Sequence, residues 1–198
     1  MRTNQLQKIA GIILAGGAGR RVSGRDKGLI PWRNQPLIEY VLESLREQVD
    51  SVIISCNRNH EIYEGYGYPV VTDRFADYSG PLAGVEAALG IISEDTSHCF
   101  ICPCDCPTLP RSIVNRFIEA MTHSSVNQAY YAHDGIREQY LFALLPIRSL
   151  SSLNAYLASG QRSVRGWYTE IDATAIDFSE QAHHFANLNT LEGMADPD

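Results

Sequence analysis

Leu14, Ala15, Gly16 and Gly17, followed closely by Arg20, Arg21, Arg25 and Lys27, combine two things a polyphosphate site needs. The stretch reads LAGGAGRRVSGRDK and follows directly on an apolar run, IAGIIL, which predicts a buried strand. Its glycines allow the backbone to turn sharply or to approach a ligand closely. Consecutive N–H groups in such a loop form an anion-binding concavity, and four cationic side chains add to it. Two familiar cradles do not fit. The P-loop requires a glycine-lysine-hydroxyl sequence, whereas Lys27 lies between Asp26 and Gly28. The dinucleotide fingerprint fails because the third glycine position after Gly17 and Gly19 is Val22.

The second group that could do chemistry is Asp105, in the stretch HCFICPCDCP. Residues 99–102 predict another buried strand, and prolines on both sides of Asp105 fix its exit. A lone carboxylate there is either a cap for the next helix or a hard oxygen ligand for Mg²⁺ beside bound phosphates. The expected helix, residues 111–121 after Pro110, starts several residues later, which favours the metal role. The surrounding cysteines have neither the paired spacing of a structural zinc site nor a C-x-x-C redox motif. They are expected to be buried core residues.

Stepping outward, the elements that must position these groups alternate. Pro36 opens a helix whose apolar face is Leu37, Ile38, Val41, Leu42 and Leu45. Val52-Ile53-Ile54 follows as a strand parallel to the first, since a helix lies between them. It ends at the polar cluster Asn57-Arg58-Asn59-His60, and strand ends are where open α/β sheets bind ligands. For Asn57, structural and functional readings are evenly balanced at this point. A short strand over 69–72 ends at Asp73. A small-residue helix opened by Pro81 and Leu82 runs to about Ile92, and Gly80, Ala83, Gly84, Ala87 and Ala88 suit close approach to the sheet or to a ligand. Beyond Asp105 come a strand pair, 128–132 and 140–145, joined by a turn at His133-Asp134-Gly135 and adding antiparallel structure. A helix over 147–158 stops at Gly160, and a short one passes through Trp167 and Tyr168. A polar loop at residues 185–190 precedes a terminal helix. The expected fold is one α/β domain, a Rossmann-like open sheet, mostly parallel with an antiparallel addition.

With 198 residues, 44% hydrophobic and 20% charged, the chain can bury a substantial core. A net charge of −7 argues against a nucleic-acid partner, whose footprint is a basic face. No apolar run approaches a membrane span, and the short apolar segment after Lys8 leads into glycines and arginines rather than a cleavage site. Five cysteines, mostly clustered, do not suggest a disulfide framework. The expected compartment is the cytoplasm.

With the residues laid out, the chain resembles the molybdenum cofactor guanylyltransferases, within the wider group of nucleotidyltransferases that attach a nucleoside monophosphate to a small phosphorylated acceptor. Leu14, Ala15, Gly16, Gly17, Arg21, Asp26 and Lys27 match the pattern L-A-G-G-x-x-x-R-M-G-x-x-D-K, with Val22 for the methionine and Ser23 for the glycine. The resemblance continues through Asn57-Arg58, the stretch ADYSGPLAG, the CPCD stretch and the terminal Asn187-Leu188-Asn189-Thr190. Cys106 departs from the threonine often found there.

The resemblance implies a fold of the nucleotide-diphospho-sugar-transferase type. It implies GMP transfer from GTP to metal-carrying molybdopterin, with release of pyrophosphate and Mg²⁺ as cofactor. Carried over by position, Leu14, Ala15, Gly16, Gly17, Lys27, Asn57 and Asp73 contact GTP. Asp105 contacts GTP and ligates Mg²⁺, and Arg21, Lys27 and Asp105 are the catalytic groups. His133, Asp134, Gly135, Arg162, Arg165, Asn187 and Asn189 are candidates for the acceptor. Residues 1–110 then serve mainly the nucleotide and 111–198 mainly the acceptor, within a single domain. Implied partners are proteins that insert metal into molybdopterin and chaperones of molybdoenzymes. Two other readings stay open: a transferase of the same fold using CTP or another nucleotide, and an inactive nucleotide-binding partner of a molybdoenzyme.

Overall fold

The computed structural model describes residues 8–17, 25–74, 80–122 and 127–185. The first apolar run forms β1, Lys8–Leu14. Its sequence neighbour in the sheet, β4 (Ser51–Ser55), runs parallel to it, with Ile12 opposite Ile53. On the other side β6 (Thr96–Pro103) is also parallel, placing Leu14 opposite Pro103. The short β5 (Val70–Val71) pairs parallel on β4. Four strands therefore end at one edge, as their helical crossovers require.

β8 (Glu138–Pro146) then pairs antiparallel with β6, and β7 (Tyr130–His133) antiparallel with β8. β7 thus regains the direction of β6, and β9 (Thr174–Asp177) lies parallel beside it. The seven strands are ordered β5-β4-β1-β6-β8-β7-β9. The antiparallel addition expected from sequence is this one strand, β8, inserted between parallel ones. A separate two-stranded hairpin, β2 (Pro31–Trp32) and β3 (Gln35–Pro36), precedes the first helix.

Two helices cover one face of the sheet: α1 (Leu37–Leu45), entered directly from Pro36, and α4 (Ile113–Thr122). Their apolar faces join Ile9, Ile13, Phe100 and Tyr130 in one buried cluster. α2 (His60–Glu64) is a single short turn that buries Tyr63 against the same side. The opposite face carries α3 (Pro81–Leu89), α5 (Leu150–Ala158) and α6 (Val164–Glu170), packed with Ala10, Ile12 and Ile101. α3 ends at Leu89, before the expected Ile92, at a C-cap glycine, Gly90. Its small residues serve the expected close approach: a Cβ on Gly84 would lie 3.4 Å from both Leu14 Cδ2 and Ser55 Cβ and collide with Ser55 Oγ. Among the described residues, no helix is long and apolar enough to cross a membrane.

Candidate active site

The parallel strand ends bring the expected nucleotide residues together. After β1 the chain stays pinned to its neighbours: the Ala15 amide donates to Ser55 O at 2.7 Å, and the Cys104 amide donates to Leu14 O at 3.1 Å. Asn57, just past β4, donates to Asp73 Oδ2 at 2.6 Å and to Gly16 O at 3.5 Å, and its Oδ1 accepts from the Asp73 amide at 3.2 Å. One amide side chain therefore ties the ends of β1, β4 and β5 into one wall. Gly16 is shaped to that amide, since a Cβ there would come within 3.2 Å of Asn57 Nδ2.

The expected catalytic pair, Lys27 and Asp105, assembles across the sheet from that wall. Lys27 Nζ lies 2.8 Å from Asp105 Oδ2, with the carboxylate almost enclosed and the ammonium partly open. Lys27 opens a short 3-10 turn that runs to Leu29, and the Asp26 side chain caps it by accepting from the Gly28 amide at 3.3 Å. Asp26 is buried and also accepts from Tyr63 Oη at 2.6 Å and Asn59 Nδ2 at 2.9 Å. Burial, then Cys104 and Asp26, push the Tyr63 phenol far above its ordinary range, so it stays a donor. Gly28 lies against this group: a Cβ there would stand 2.6 Å from Tyr63 Oη and 3.2 Å from Cys104 Sγ. Asp105 itself caps no helix, because α4 begins only at Ile113.

Sequence reasoning passed over Arg58 as a functional residue. Its Nη2 donates to Gly17 O at 3.3 Å and to Arg25 O at 2.8 Å, while its Nε sits 3.6 Å from Asp26 Oδ2. It thereby braces the chain on both sides of residues 18–24. A guanidinium bound to main-chain carbonyls leaves no pattern of residue types; the polar run after β4 and the place of Asn57-Arg58 in the resemblance were the signals available. Arg21, Val22, Ser23, Asn187, Asn189 and the expected terminal helix lie outside the described residues, as do residues 76–79 of the ADYSGPLAG stretch.

The cysteines are packing groups. All five are free and buried. Burial raises every thiol, pushing Cys56 up to about 11 and Cys99 to about 12.

The acceptor candidates lie on the other flank of Asp105. Because β8 runs antiparallel to β6, its first residue, Glu138, and the turn after His133 project at the Asp105 edge. Asp134 holds that turn: Oδ1 accepts from the Ile136 amide at 2.9 Å and the Arg137 amide at 2.8 Å, and Oδ2 from Gln139 Nε2 at 2.6 Å. Burial works against ionisation of this carboxyl, but the Arg137, Gln139 and Ile136 donors outweigh it and hold its pKa below 3.8. Gly135 has φ +89°, and its amide donates to His133 Nδ1 at 3.0 Å. Arg162 donates to Leu157 O and Gln161 O at 2.8 and 2.7 Å, and its own carbonyl lies beside Gly80. Arg165 lines an open pocket of about 200 Å³ with Tyr131, Glu138, Tyr140 and Tyr168.

The Asn57–Asp73 wall and the Lys27–Asp105 pair thus share one sheet edge, and the Arg165 pocket lies beside β8 and β7. Residues 11–174 match the model of the MobA-like NTP transferase domain. A molybdenum cofactor guanylyltransferase from Mannheimia succiniciproducens is 40% identical over 189 residues, 96% of this chain and 98% of that protein. The chain belongs to the MobA-like family of molybdenum cofactor guanylyltransferases. A second member, from Shewanella loihica, is 39% identical over 93% of each chain. In three dimensions the chain is similar to molybdopterin-guanine dinucleotide biosynthesis protein A from Archaeoglobus fulgidus. That match has a TM-score of 0.75 and 20% identity and covers 92% of this chain and 93% of the other. Membership makes this chain a nucleotidyltransferase, and its Lys27–Asp105 pair lies at the edge where parallel strands present ligands.

Proposed function

We propose that this protein transfers GMP from GTP to the terminal phosphate of molybdopterin carrying its metal, releasing pyrophosphate. The observation that carries the reading is the Lys27–Asp105 pair, 2.8 Å apart, set between the Asn57–Asp73 wall and the β8 flank in a chain of this family. Leu14, Ala15, Gly16 and Gly17 supply main-chain contacts to the nucleotide, and Asn57 and Asp73 hold their end of it. Residues that carry the acceptor follow from β7 onward.

The donor set fits Mg²⁺, which usually takes one or two carboxylates and completes its shell with phosphate oxygens and water. Asp105 is a single buried carboxylate at a phosphate loop, and among the described residues no cluster of three or more His, Cys, Asp or Glu forms a protein-only cage. A Mg²⁺ held by Asp105 supplies charge neutralisation at the α-phosphate. The chain's own part is positioning and electrostatics, as in other phosphoryl transfers. Lys27 turns its ammonium from Asp105 toward the leaving pyrophosphate, and Arg21 shares that task by its place in the motif. A phosphate nucleophile is already ionised near neutral pH, so no protein base is needed. Enzymes that insert the metal act before this step, and chaperones that receive the dinucleotide act after it.

The test compares GTP, ATP, CTP and UTP, each with Mg²⁺, by melting temperature and by mass analysis of the pterin product. GTP is expected to give the largest upward shift and the guanine dinucleotide as product. A ligand at 100 times its Kd adds about 2.7 kcal/mol, which a melt resolves. Equal shifts and equal turnover with all four nucleotides would remove the guanylyl assignment.

A further inference from the structure

The pocket on the β8 flank has a chemistry of its own. Its floor is Tyr168, buried and stacked on Tyr131 at 5.5 Å between ring centroids and 25° between planes. Tyr140 closes one side, 5.0 Å from Tyr131 and 6.0 Å from Tyr168. A break in strand register aims it there: Tyr131 pairs with Ala143 but Ala132 with Gln139, so residues 140–142 of β8 bulge out of the pairing. Tyr168 Oη donates to Tyr140 O at 3.1 Å and holds that bulge to α6. Glu138 and Arg165 add one acceptor and one donor of opposite charge, and Thr169 and Ala173 complete the lining. Both act on the Tyr131 hydroxyl: burial first, then Tyr140 and Glu138, raise its pKa, and Arg165 opposes them.

From these residues we infer that this pocket holds the pterin ring of the acceptor, Glu138 accepting from its 2-amino-4-oxopyrimidine edge. That edge presents two adjacent N–H donors beside a carbonyl. A carboxylate pairs with the donors through charge-assisted hydrogen bonds, and a guanidinium suits the carbonyl. Tyrosine rings supply flat apolar contact for a bicyclic ring. The volume, about 200 Å³, is below the ~300–1,000 Å³ of a site for a whole ligand, so it suits one ring system. Guanine carries the same pyrimidine edge, and the order of the sheet separates the two. Asp73, Asn57 and Gly16 follow β5, β4 and β1 on one side of Asp105, whereas Glu138, Tyr140 and Tyr131 belong to β8 and β7 on the other. A nucleotide held on the first side reaches Asp105 with its phosphates and leaves the second side to the acceptor.

This inference rests on the proposed guanylyl transfer, and its test separates the two. A fluorescent pterin bearing a phosphate on a short side chain is titrated into wild type and into Glu138→Gln and Arg165→Met, both surface substitutions. In parallel, KM is measured for the metal-loaded pterin and for GTP. Wild type is expected to quench the probe. Glu138→Gln is expected to weaken probe binding and to raise the acceptor KM roughly tenfold or more, the loss typical of a charge-assisted hydrogen bond. The GTP KM, GTP-induced melting shift and ligand-free melting temperature stay at wild-type values. Unchanged probe affinity and acceptor KM in both variants would overturn the pocket assignment while guanylyl transfer stands. A raised GTP KM in Glu138→Gln would assign the pocket to guanine instead and overturn it too. Absence of turnover in wild type would strike the transfer reaction itself, leaving the probe titration to decide the pocket.

Discussion

Lys27 and Asp105 are unequal partners. The carboxylate is almost enclosed and the ammonium partly open, at side-chain exposures of 9% and 27%. Removing one member of a pair costs most when the member left behind is the buried one. Lys27→Ala is therefore expected to lower the ligand-free melting temperature, because Asp105 keeps its charge without a partner. Asp105→Asn is expected to melt near wild type, since the freed ammonium reaches water. Function should show a different asymmetry. Loss of the ammonium weakens GTP binding roughly ten- to a hundredfold, the worth of a charge-assisted hydrogen bond. Asp105→Asn keeps the shape of the side chain, loses the charge that holds a hard cation, and should be nearly inactive, with a GTP-induced stabilisation no longer dependent on Mg²⁺. Melting curves with and without GTP and Mg²⁺, beside turnover, check all of this. Wild-type turnover in Asp105→Asn would sink the metal assignment.

At the scale of elements, α3 shows how closely helix and sheet are fitted. The position of Gly84 leaves no room for a Cβ beside Ser55 Oγ, with Leu14 Cδ2 also in contact range at 3.4 Å. Overpacking costs about 1–3 kcal/mol, against which the helix preference for alanine over glycine returns about 1 kcal/mol. Gly84→Ala is expected to cost about 1 kcal/mol net. The same change in a Ser55→Ala background should cost nothing or stabilise, read from denaturant midpoints at constant slope. A stabilised Gly84→Ala single variant would show that the helix is not seated this tightly. The closeness of α3 was legible in its run of small residues, as β1, β4 and β6 were in their apolar runs. The β2–β3 hairpin was not legible: its turn places Arg33 and Asn34 at φ 48° and 68°, without the glycine that usually signals such a turn. α2 escaped because five residues show no period, and its entry through left-handed Asn59, φ 55°, depends on tertiary contacts. Lys27 and Asp105, which the fold brings together, stood out in the sequence as residue types in a pattern. Arg58 and the tyrosine pocket did not, since main-chain bonds and a strand bulge gather them.

Across the whole molecule, both buried clusters draw on both ends of the chain. One includes Ile9 and Phe185, the other Ala10 and Tyr168. The Phe100–Phe117 and Phe117–Phe178 contacts, at 5.7 and 5.2 Å, carry the first cluster from β6 through α4 to the segment after β9. Residues 1–110 and 111–198 are therefore expected to unfold together, with calorimetric and van't Hoff enthalpies equal. Two resolved transitions would show the halves to be separate domains. Among the described residues β8 is the one reversed strand of the seven-stranded sheet, and this has an evolutionary meaning. Main-chain hydrogen bonds join it to β6 and ask nothing of side-chain identity. The turn after His133, the bulge at Tyr140 and the exposed side of α6 can drift under selection for a new acceptor without disturbing the glycine loop. If that flank takes the acceptor as proposed, a lineage built on this sheet changes substrate by rewriting one flank and inheriting the other.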